Sequence, residues 1–340
     1  MPKFILSKSK AVEQYDKVRE IADTVSYSSK TNQEVTKILE KGTDCLFSVH
    51  MINELNHISD KSRVIFLAQA WDKEMISKLA DMGIKNFVVD NETDLDVLLS
   101  FLEEKDIKIN LMLRLKLKEN TIRTEKYFVF GMDSEKVNKR IKEIKGNKNI
   151  ENLGVHFHRK TQNMAEWNLQ YEIEDIIDED VLEIIDIFNI GGGIPCIYAN
   201  TNEDVIRTVF DKLKEFKAWL NAKDIRMIIE PGRFIAAPAV NLCTNIINIY
   251  DGTIVVDASV YNTDMDAIIV PVKLLVEGEK DEGKAYAIKG NTPCSLDLFR
   301  YKVYLENPKI GDKLVFLNAG AYNFSSDFCD LEKLETEVVE

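Results

Sequence analysis

Short apolar runs alternate with amphipathic stretches from the N-terminus to about residue 230. The runs are rich in β-branched residues and are bounded by polar positions, which predicts buried strands. They lie at Val25–Ser29, Cys45–Val49, Val64–Ala68, Phe87–Asp90, Ile109–Leu115, Leu153–His158, Ile187–Ile190 and Arg226–Ile229. Between most of them, apolar residues recur three or four apart among charges, which predicts helices. These segments are Gln33–Leu39, Asp72–Met82, Glu92–Glu104, Ser134–Ile144 and Asp204–Trp219.

Alternation of strands and helices favours right-handed crossovers and a parallel sheet, the pattern of the α/β class. Eight such units in about 230 residues fit a closed (β/α)8 barrel of the TIM type. An open, doubly wound sheet would give the same local pattern, and the period alone does not choose between the two.

The pattern changes after Pro231. From Asn241 onward short strands are predicted between Asp-Gly, Glu-Gly and Gly-Asn turns. The strands are Ile246–Tyr250, Ile254–Asp257, Ile268–Val276, Lys284–Ile288 and Lys313–Asn318. We therefore predict two domains, a barrel over residues 1–235 and a C-terminal β-rich sandwich or barrel over residues 236–340. We leave open that the first residues of the chain pair with the β-domain.

Amino-acid composition and charge narrow the classes of partner and site that the protein is expected to have. The formal net charge of −13, with no basic block, argues against nucleic acid or an anionic membrane as a partner. No apolar run is long enough to span a bilayer, and the N-terminus becomes charged early, so we expect a cytoplasmic protein. The five cysteines are far apart and lack a CxxC pair, so neither a disulfide framework nor a metal site is predicted.

Polar or glycine-rich residues mark the ends of four predicted strands. In a β/α-barrel the active site lies at the carboxyl ends of the strands, so these positions are candidate functional sites. They are Tyr27–Asn32, Gly154–His158, Asn189–Pro195 and Glu230–Arg233. Taken singly, each also has a structural explanation, such as a solvated lysine, a tight turn or a surface ion pair. The three glycines of Asn189–Pro195 are, in addition, a plausible anion cradle.

Taken in order, these segments resemble the fold-type III, pyridoxal-phosphate-dependent decarboxylases, which include the ornithine, arginine, lysine and diaminopimelate decarboxylases. Tyr27–Asn32 is similar to the family's Tyr-Ala-x-Lys-Ala-Asn motif, and Gly154–His158 to its Gly-x-x-Phe-His segment. Asn189–Pro195 is similar to Asp-x-Gly-Gly-Gly-x-Pro, and Glu230–Arg233 reproduces Glu-Pro-Gly-Arg. Further similar blocks are Val256–Tyr261, Gly290–Asp297 and Gly320–Tyr322. The resemblance covers nearly the whole chain and implies pyridoxal 5'-phosphate as the cofactor.

The roles that the resemblance implies match what this cofactor needs: an amine anchor, a partner for its ring nitrogen, a support for its face and a phosphate clamp. Lys30 is implied as the covalent anchor, Glu230 as the ring-nitrogen partner and His158 as the ring stacked on the cofactor. With Cys294, these three form the implied catalytic set. The remaining implied cofactor contacts are Thr161, Gly191, Gly192, Gly193, Gly232, Arg233 and Tyr322.

Two departures from the family lie beside the predicted cofactor site. Arg159-Lys160-Thr161 follows His158 where the family has x-Gly-Ser, which adds two cations, and Asn189 replaces the usual aspartate. We also expect His156 and His158 to point to opposite sides of their strand, because strand side chains alternate. His158 would then face the barrel mouth and His156 the barrel wall.

The predicted substrate region also departs from the family. Ornithine-type enzymes bind the distal ammonium of the substrate with two aspartates. One directly follows the catalytic cysteine, and Ala258 stands at the position of the other in this chain. The family spaces cysteine and aspartate four apart, whereas Cys294 and Asp297 are three apart, and the sequence leaves open which of them is displaced. If Cys294 keeps the family role, it comes from the partner subunit of a homodimer with shared active sites and protonates the substrate carbon. The predicted substrate contacts are Tyr261, Ser295, Asp297 and Arg159.

The function predicted from the resemblance is a pyridoxal-phosphate-dependent α-decarboxylase, a carboxy-lyase of amino-acid or polyamine metabolism. Its small-molecule substrate is expected to be a diamino acid or a substituted derivative of the ornithine, lysine, diaminopimelate or siderophore-precursor type. A substrate with an additional carboxylate is compatible with the absence of the acidic residues that bind the distal ammonium in ornithine-type enzymes. It is also compatible with the two cations Arg159 and Lys160. The alternatives are an amino-acid racemase on the alanine-racemase barrel and a regulatory paralogue without catalysis, against which Lys30, Glu230 and Arg233 together argue.

Overall fold

The computed structural model describes residues 1–117 and 129–340. Its strands are, in chain order, β1 Lys3–Ser7, β2 Thr24–Ser28, β3 Leu46–Val49, β4 Val64–Ala68, β5 Asn86–Val89, β6 Ile109–Arg114, β7 Ile150–His156, β8 Ile187–Asn189, β9 Arg226–Ile229, β10 Val240–Tyr250, β11 Thr253–Val256, β12 Leu275–Val276, β13 Lys280–Lys289, β14 Leu298–Tyr304, β15 Lys313–Leu317 and β16 Thr336–Val339.

Its α-helices are α1 Lys8–Arg19, α2 Gln33–Gly42, α3 Lys73–Asp81, α4 Glu92–Glu104, α5 Ser134–Ile144, α6 Leu169–Ile176, α7 Glu179–Leu182, α8 Glu203–Asn221, α9 Arg233–Ala239, α10 Val260–Thr263 and α11 Asp266–Ile269. Several of these helices begin at a polar residue whose side chain caps the first turn. The side chains of Asp72 and Asn91, for example, accept the backbone N–H groups of Met75 and Asp94 at 2.8 and 2.9 Å. Within the part of the chain that the structure describes, no helix combines the length and the apolar character needed to cross a bilayer.

Strands β2 to β9 form a closed barrel in which each strand is parallel to its neighbours, and β9 closes against β2. All eight strands predicted from the apolar runs are present, and the closed barrel is confirmed over the open sheet. Its interior is filled by alternate residues of successive strands, as the two-residue period of a strand dictates. This core consists of Ile65, Leu67, Val88, Met112, Ile187 and Ile228.

The second sheet has the strand order β12-β15-β10-β11-β13-β14, and β1 joins it by pairing with β10 and β16. The predicted strand Ile268–Val276 is wrong for most of its length. Residues Asp266–Ile269 form α11, and only Leu275–Val276 pairs as a strand. Pro271 lies between these two elements, lacks the N–H that a sheet ladder needs, and so separates them.

The chain divides into two compact units. One contains residues 15–195 and 204–232, with the whole barrel, and the other contains residues 1–14, 196–203 and 233–340, with the second sheet. The domain boundary predicted between residues 235 and 236 lies three residues after this division at residue 233. Residues 1–14 and 196–203 group with the second sheet. The prediction placed both in the barrel but left open that the first residues pair with the β-domain, as β1 does with β10.

Candidate active site

The carboxyl ends of the barrel strands surround a cavity of about 500 Å³, within the range of small-molecule sites. Its polar lining consists of Lys30, His50, Gln69, Asp90, Arg114, Lys116, His158, Arg159, Lys160 and Thr161. The cavity therefore lies at the end of the barrel where β/α-barrel enzymes carry their active sites, and three of the predicted cofactor residues line it.

Lys30 is placed by the turn that joins β2 to α2. It lies in a single 3-10 turn, Ser29–Thr31, that ends at Asn32. The side-chain oxygen of Asn32 accepts the N–H groups of Glu34 and Val35 at 3.0 and 3.3 Å and so begins α2. The last residue of the Tyr27–Asn32 motif thus caps the helix and fixes the turn that presents the lysine.

The amine of Lys30 has a chemically unusual environment. Burial lowers its pKa; Glu54 and Glu230 oppose this shift, and Arg114 adds to it. Its Nζ lies 3.3 Å from Nε2 of His50, whose own pKa burial lowers to about 3. A neutral imidazole can accept a hydrogen bond from the amine, and burial is what favours the uncharged, nucleophilic form of Lys30.

His158 and the glycine loop after β8 hold each other in place. The N–H of Gly192 donates to Nδ1 of His158 at 3.1 Å, which leaves the imidazole proton on Nε2. Burial also lowers the pKa of His158 to about 3, so the ring is neutral. The ring is exposed to the cavity that it lines.

The loop needs glycine because it runs against neighbouring backbone. A Cβ on Gly191 would lie 2.3 Å from the carbonyl oxygen of Phe157, and one on Gly192 would lie 2.7 Å from that of Glu230. Gly191 and Gly193 also have positive φ angles of 62° and 100°. The prediction that all three glycines donate N–H groups to a phosphate needs correction, because the N–H groups of Gly191 and Gly192 already donate within the protein.

Glu230 follows β9 and is 2% exposed. Burial alone would raise its pKa, but the contact with His156 and a hydrogen bond from Asn189 hold the pKa well below its usual range. Nε2 of His156 lies 3.3 Å from Oε2 of Glu230, and Nδ2 of Asn189 lies 2.9 Å from Oε1. The side chains of His156, His158 and Glu230 converge, with one ligand-type atom from each within 4.8 Å of the others.

The expectation that His156 and His158 point to opposite sides of the strand is wrong. Side chains alternate between successive residues, so residues two apart share a face. His156 therefore points toward Glu230 rather than to the barrel wall. The error hid a buried histidine that contacts a predicted catalytic carboxylate.

Three further residues of the cavity were missed from the sequence. His50, Asp90 and Arg114 lie at the ends of β3, β5 and β6, and Arg114 donates to Asp90 at 2.9 Å. The rule that selected Lys30, applied to every predicted strand, would have found them.

Arg159, whose substrate contact stays a prediction, lines the cavity but has its guanidinium engaged within the protein. Its side chain is 1% exposed, and its guanidinium pairs with Glu172 at 2.7 Å and Glu166 at 3.5 Å. A buried guanidinium with two carboxylate partners has its charge compensated inside the protein. Of the two cations predicted beside the cofactor, Lys160 is exposed and lines the cavity.

Gly232 and Arg233 belong to different units. A Cβ on Gly232 would lie 2.2 Å from Oγ1 of Thr31, so glycine allows the Glu-Pro-Gly-Arg segment to pack against the turn that carries Lys30. Arg233 begins α9 and pairs through two nitrogens with Asp266, with both side chains buried.

Two aromatic residues complete the surroundings of Arg233. Its Nη1 donates to the hydroxyl of Tyr198 at 3.0 Å, and its guanidinium carbon lies 5.3 Å from the ring centre of Tyr322. Tyr322 has a positive φ of 55°, a strained conformation for a tyrosine that often occurs at functional sites.

Asp297 was predicted to contact substrate, but its carboxylate is 1% exposed and organises its own loop. It accepts the N–H of Val260 at 2.9 Å, and the N–H and hydroxyl of Thr292 at 3.0 and 2.6 Å. Gly290 packs so closely that a Cβ there would lie 2.1 Å from the carboxylate. The hydrogen bonds of this side chain thus hold its own loop together, and its contact with substrate stays a prediction.

Cys294 lies in the same loop. Its Sγ is 2.9 Å from the hydroxyl of Tyr261, and this hydrogen bond lowers the pKa of the thiol. The ring of Tyr261 stacks on Phe328 with centroids 3.9 Å apart, and Ser295 is exposed. Tyr261 of α10 thus contacts Cys294 directly, and Ser295 follows Cys294 in its loop.

Comparison with known proteins shows the family of this chain. Residues 8–237 match the family model described as pyridoxal-dependent decarboxylase, pyridoxal binding domain. The chain is 22% identical over 324 residues to the diaminopimelate decarboxylase of Campylobacter jejuni, covering 88% of this chain and 80% of that one. It is 26% identical over 361 residues to a probable chloroplastic diaminopimelate decarboxylase of rice, covering 95% and 71%.

The fold is also that of solved decarboxylases. The lysine/ornithine decarboxylase of Vibrio vulnificus, complexed with putrescine, superposes with a TM-score of 0.81 at 20% identity and covers 100% of this chain and 94% of its own. Diaminopimelate decarboxylase of M. jannaschii, complexed with L-lysine, gives a TM-score of 0.82 at 20% identity, covering 100% and 87%. The predicted fold and family are confirmed. The chain belongs to the pyridoxal-dependent decarboxylases and is a carboxy-lyase that uses pyridoxal phosphate.

Proposed function

We propose that the protein is an α-decarboxylase of a diamino acid that carries a second carboxylate, of the diaminopimelate type. The observation that carries the substrate proposal is the charge of the cavity. Lys30, Arg114, Lys116 and Lys160 line it, whereas Asp90 is the only acid among the lining residues that the structure describes. The phosphate of the cofactor and two carboxylates of the substrate would be attracted to such a positively charged lining. The distal ammonium of a substrate such as ornithine or lysine would find little negative charge there.

The residues present fit the cofactor. Lys30 offers an amine of lowered pKa at the cavity, Glu230 a buried carboxylate of lowered pKa, and His158 a neutral ring exposed to the cavity. Bound pyridoxal phosphate supplies an electron sink for the carbanion that forms when carbon dioxide leaves. We propose that Lys30 anchors it covalently, that Glu230 holds its ring nitrogen protonated and that His158 supports its face.

For the phosphate, the N–H of Gly193 and the hydroxyl of Thr161 remain proposed donors in the barrel unit. Lys160 adds positive charge beside Thr161. The contacts predicted for Gly232, Arg233 and Tyr322 stay predictions.

We further propose that Asp297, rather than Cys294, keeps its family position, because its hydrogen bonds to Val260 and Thr292 fix the loop. The family spacing of four then places Pro293 at the cysteine position. Cys294 would lie one residue further on, where ornithine-type enzymes have an aspartate for the distal ammonium. The loss of that acid supports a substrate other than plain ornithine. We also propose a homodimer with shared active sites, as the family resemblance implies. Catalysis by Cys294 stays a prediction.

The cofactor anchor is tested by borohydride reduction of the holoenzyme followed by peptide mapping. We expect the reduced cofactor on Lys30, and Lys30→Arg to carry none. A label on any other lysine would contradict the assignment.

The substrate is tested by carbon dioxide release from meso-diaminopimelate, L-lysine and L-ornithine. We expect the highest kcat/KM for diaminopimelate, and we expect Lys160→Gln to raise its KM by about tenfold, as for loss of a charged contact. Lys160→Arg keeps the charge and serves as the control. Equal or higher kcat/KM for lysine or ornithine would refute the second carboxylate.

A further inference from the structure

The carboxylate of Glu230 receives one hydrogen bond on each oxygen from side chains that are themselves fully buried. Asn189 and His156 are both 0% exposed, and Glu230 is 2% exposed. Asn189 contacts Oε1 at 2.9 Å and His156 contacts Oε2 at 3.3 Å. A buried carboxylate held by two donors is oriented as well as stabilised in its charged form.

The orientation of the Asn189 amide follows from its second contact. Its Oδ1 accepts the N–H of Gly191 at 2.9 Å, so its NH2 group must be the one that faces Glu230. The donor to Oε1 is therefore uncharged. The aspartate that the family has here could also accept from Gly191, but it would add a second negative charge beside Glu230.

The protonation of His156 follows from its other ring nitrogen. Nδ1 is buried and has no hydrogen-bond partner among the residues that the structure describes. A proton on Nδ1 would leave a buried N–H without an acceptor, which costs more than an unpaired nitrogen lone pair and would be worse for a charged imidazolium. The imidazole is therefore neutral, carries its proton on Nε2 and donates it to Glu230.

We propose that His156 is a positioning residue that holds Glu230 ionised and oriented for the ring nitrogen of pyridoxal phosphate. This inference rests on the proposed role of Glu230. Because each oxygen receives one neutral donor, each keeps lone-pair capacity for a further hydrogen bond, and no buried cation competes with the protonated ring nitrogen for the carboxylate. His156 thus strengthens the electron sink without touching the reacting atoms.

The test compares the binding of two ligands to apoprotein, measured by fluorescence titration. One is pyridoxal phosphate, and the other is its analogue with carbon in place of the ring nitrogen. Both carry the aldehyde and the phosphate, so the ratio of their dissociation constants reports only the contact to the ring nitrogen. The variants are His156→Leu, which removes the donor, and His156→Gln, whose terminal amide places a donor near the position of Nε2.

We expect His156→Leu to lower the preference for pyridoxal phosphate by about tenfold or more, as for a lost hydrogen bond to a charged group. His156→Gln should stay within about threefold of the wild type, which is below the energy of one such bond. His57→Gln, the same change outside the cavity lining, should leave the preference unaltered. An unchanged preference in folded His156→Leu, or an equal loss in both His156 variants, would overturn the inference.

Glu230→Gln separates this inference from the proposed function. If Glu230→Gln keeps the wild-type preference, the proposed role of Glu230 fails. If Glu230→Gln loses the preference but His156→Leu keeps it, only the positioning role of His156 fails.

A second measurement needs no variant that disturbs the core. In wild-type apoprotein labelled with 15N-histidine, long-range NMR correlations report which ring nitrogen carries the proton, and His156→Gln assigns the signals. We expect the neutral Nε2–H form for His156. A proton on Nδ1, in either a neutral or a charged ring, would overturn the inference even if His156→Leu does not fold.

Discussion

Replacing Asp266 with alanine should lower the free energy of unfolding of the second unit by about 3–5 kcal/mol, the usual cost of breaking a buried ion pair. Asp266 and Arg233 are 4% and 3% exposed, and two guanidinium nitrogens donate to the carboxylate, Nη2 to Oδ1 at 3.0 Å. Arg233 also donates to the hydroxyl of Tyr198, which is uncharged, at 3.0 Å. The variant therefore removes the carboxylate that this buried guanidinium contacts through two nitrogens.

A double variant separates the contribution of the charges to stability from that of packing. Exchanging both residues for apolar ones, Arg233→Met with Asp266→Leu, removes the guanidinium and carboxylate charges together and keeps most of the side-chain volume. Such exchanges are often neutral or even stabilising. The double variant should therefore be more stable than either single variant, and the double-mutant cycle should give a coupling energy of about 2–3 kcal/mol.

The assay is urea unfolding of the apoprotein, followed by circular dichroism with slopes compared between variants. Glu104→Ala is the matched control, because it breaks the exposed pair with Lys73 at 2.6 Å and should cost about 1 kcal/mol or less. The reasoning would be refuted if Asp266→Ala cost no more than Glu104→Ala. It would equally fail if the double variant were less stable than both singles.

Three further predictions follow from the cavity and the Asp297 loop. In apoprotein, Lys30 should react with acetic anhydride at lower pH than the exposed Lys139, because burial lowers its pKa and frees its lone pair; coincident pH profiles would contradict this. Gly290→Ala should lower the melting temperature more than Gly83→Ala. The new methyl at Gly290 meets the Asp297 carboxylate at 2.1 Å, whereas at Gly83 nothing lies within 4 Å and the cost is only the strain of its positive φ of 87°. Equal shifts would count against the loop role of Asp297. If the dimer shares its sites, inactive Lys30→Ala and Cys294→Ala should regain at most about one quarter of wild-type activity when mixed. No recovery with proven subunit exchange would place both residues in one chain, and an active Cys294→Ala would exclude catalysis by that thiol.

The local pattern of the sequence determined the strands and several helices of the barrel and the position of Lys30 after its first strand. Strand and helix periods, and the cap at Asn32, depend on neighbours a few residues apart, so Glu92–Glu104 and Ser134–Ile144 were predicted to the residue. The strand predicted over Ile268–Val276 failed because a single proline outweighed the apolar content of the segment. Local information was sufficient wherever the structure depends on local contacts.

Only the tertiary structure decided what several charged and polar side chains do. Arg159 and Asp297 look available in the sequence, but their partners lie on other segments that folding brings to them. His156 joins Glu230 from a strand 74 positions away along the chain. Burial and long-range hydrogen bonds set the charge of these groups, and neither can be read from residue order, because the cost of an unpaired buried polar group appears only once the segments are packed together.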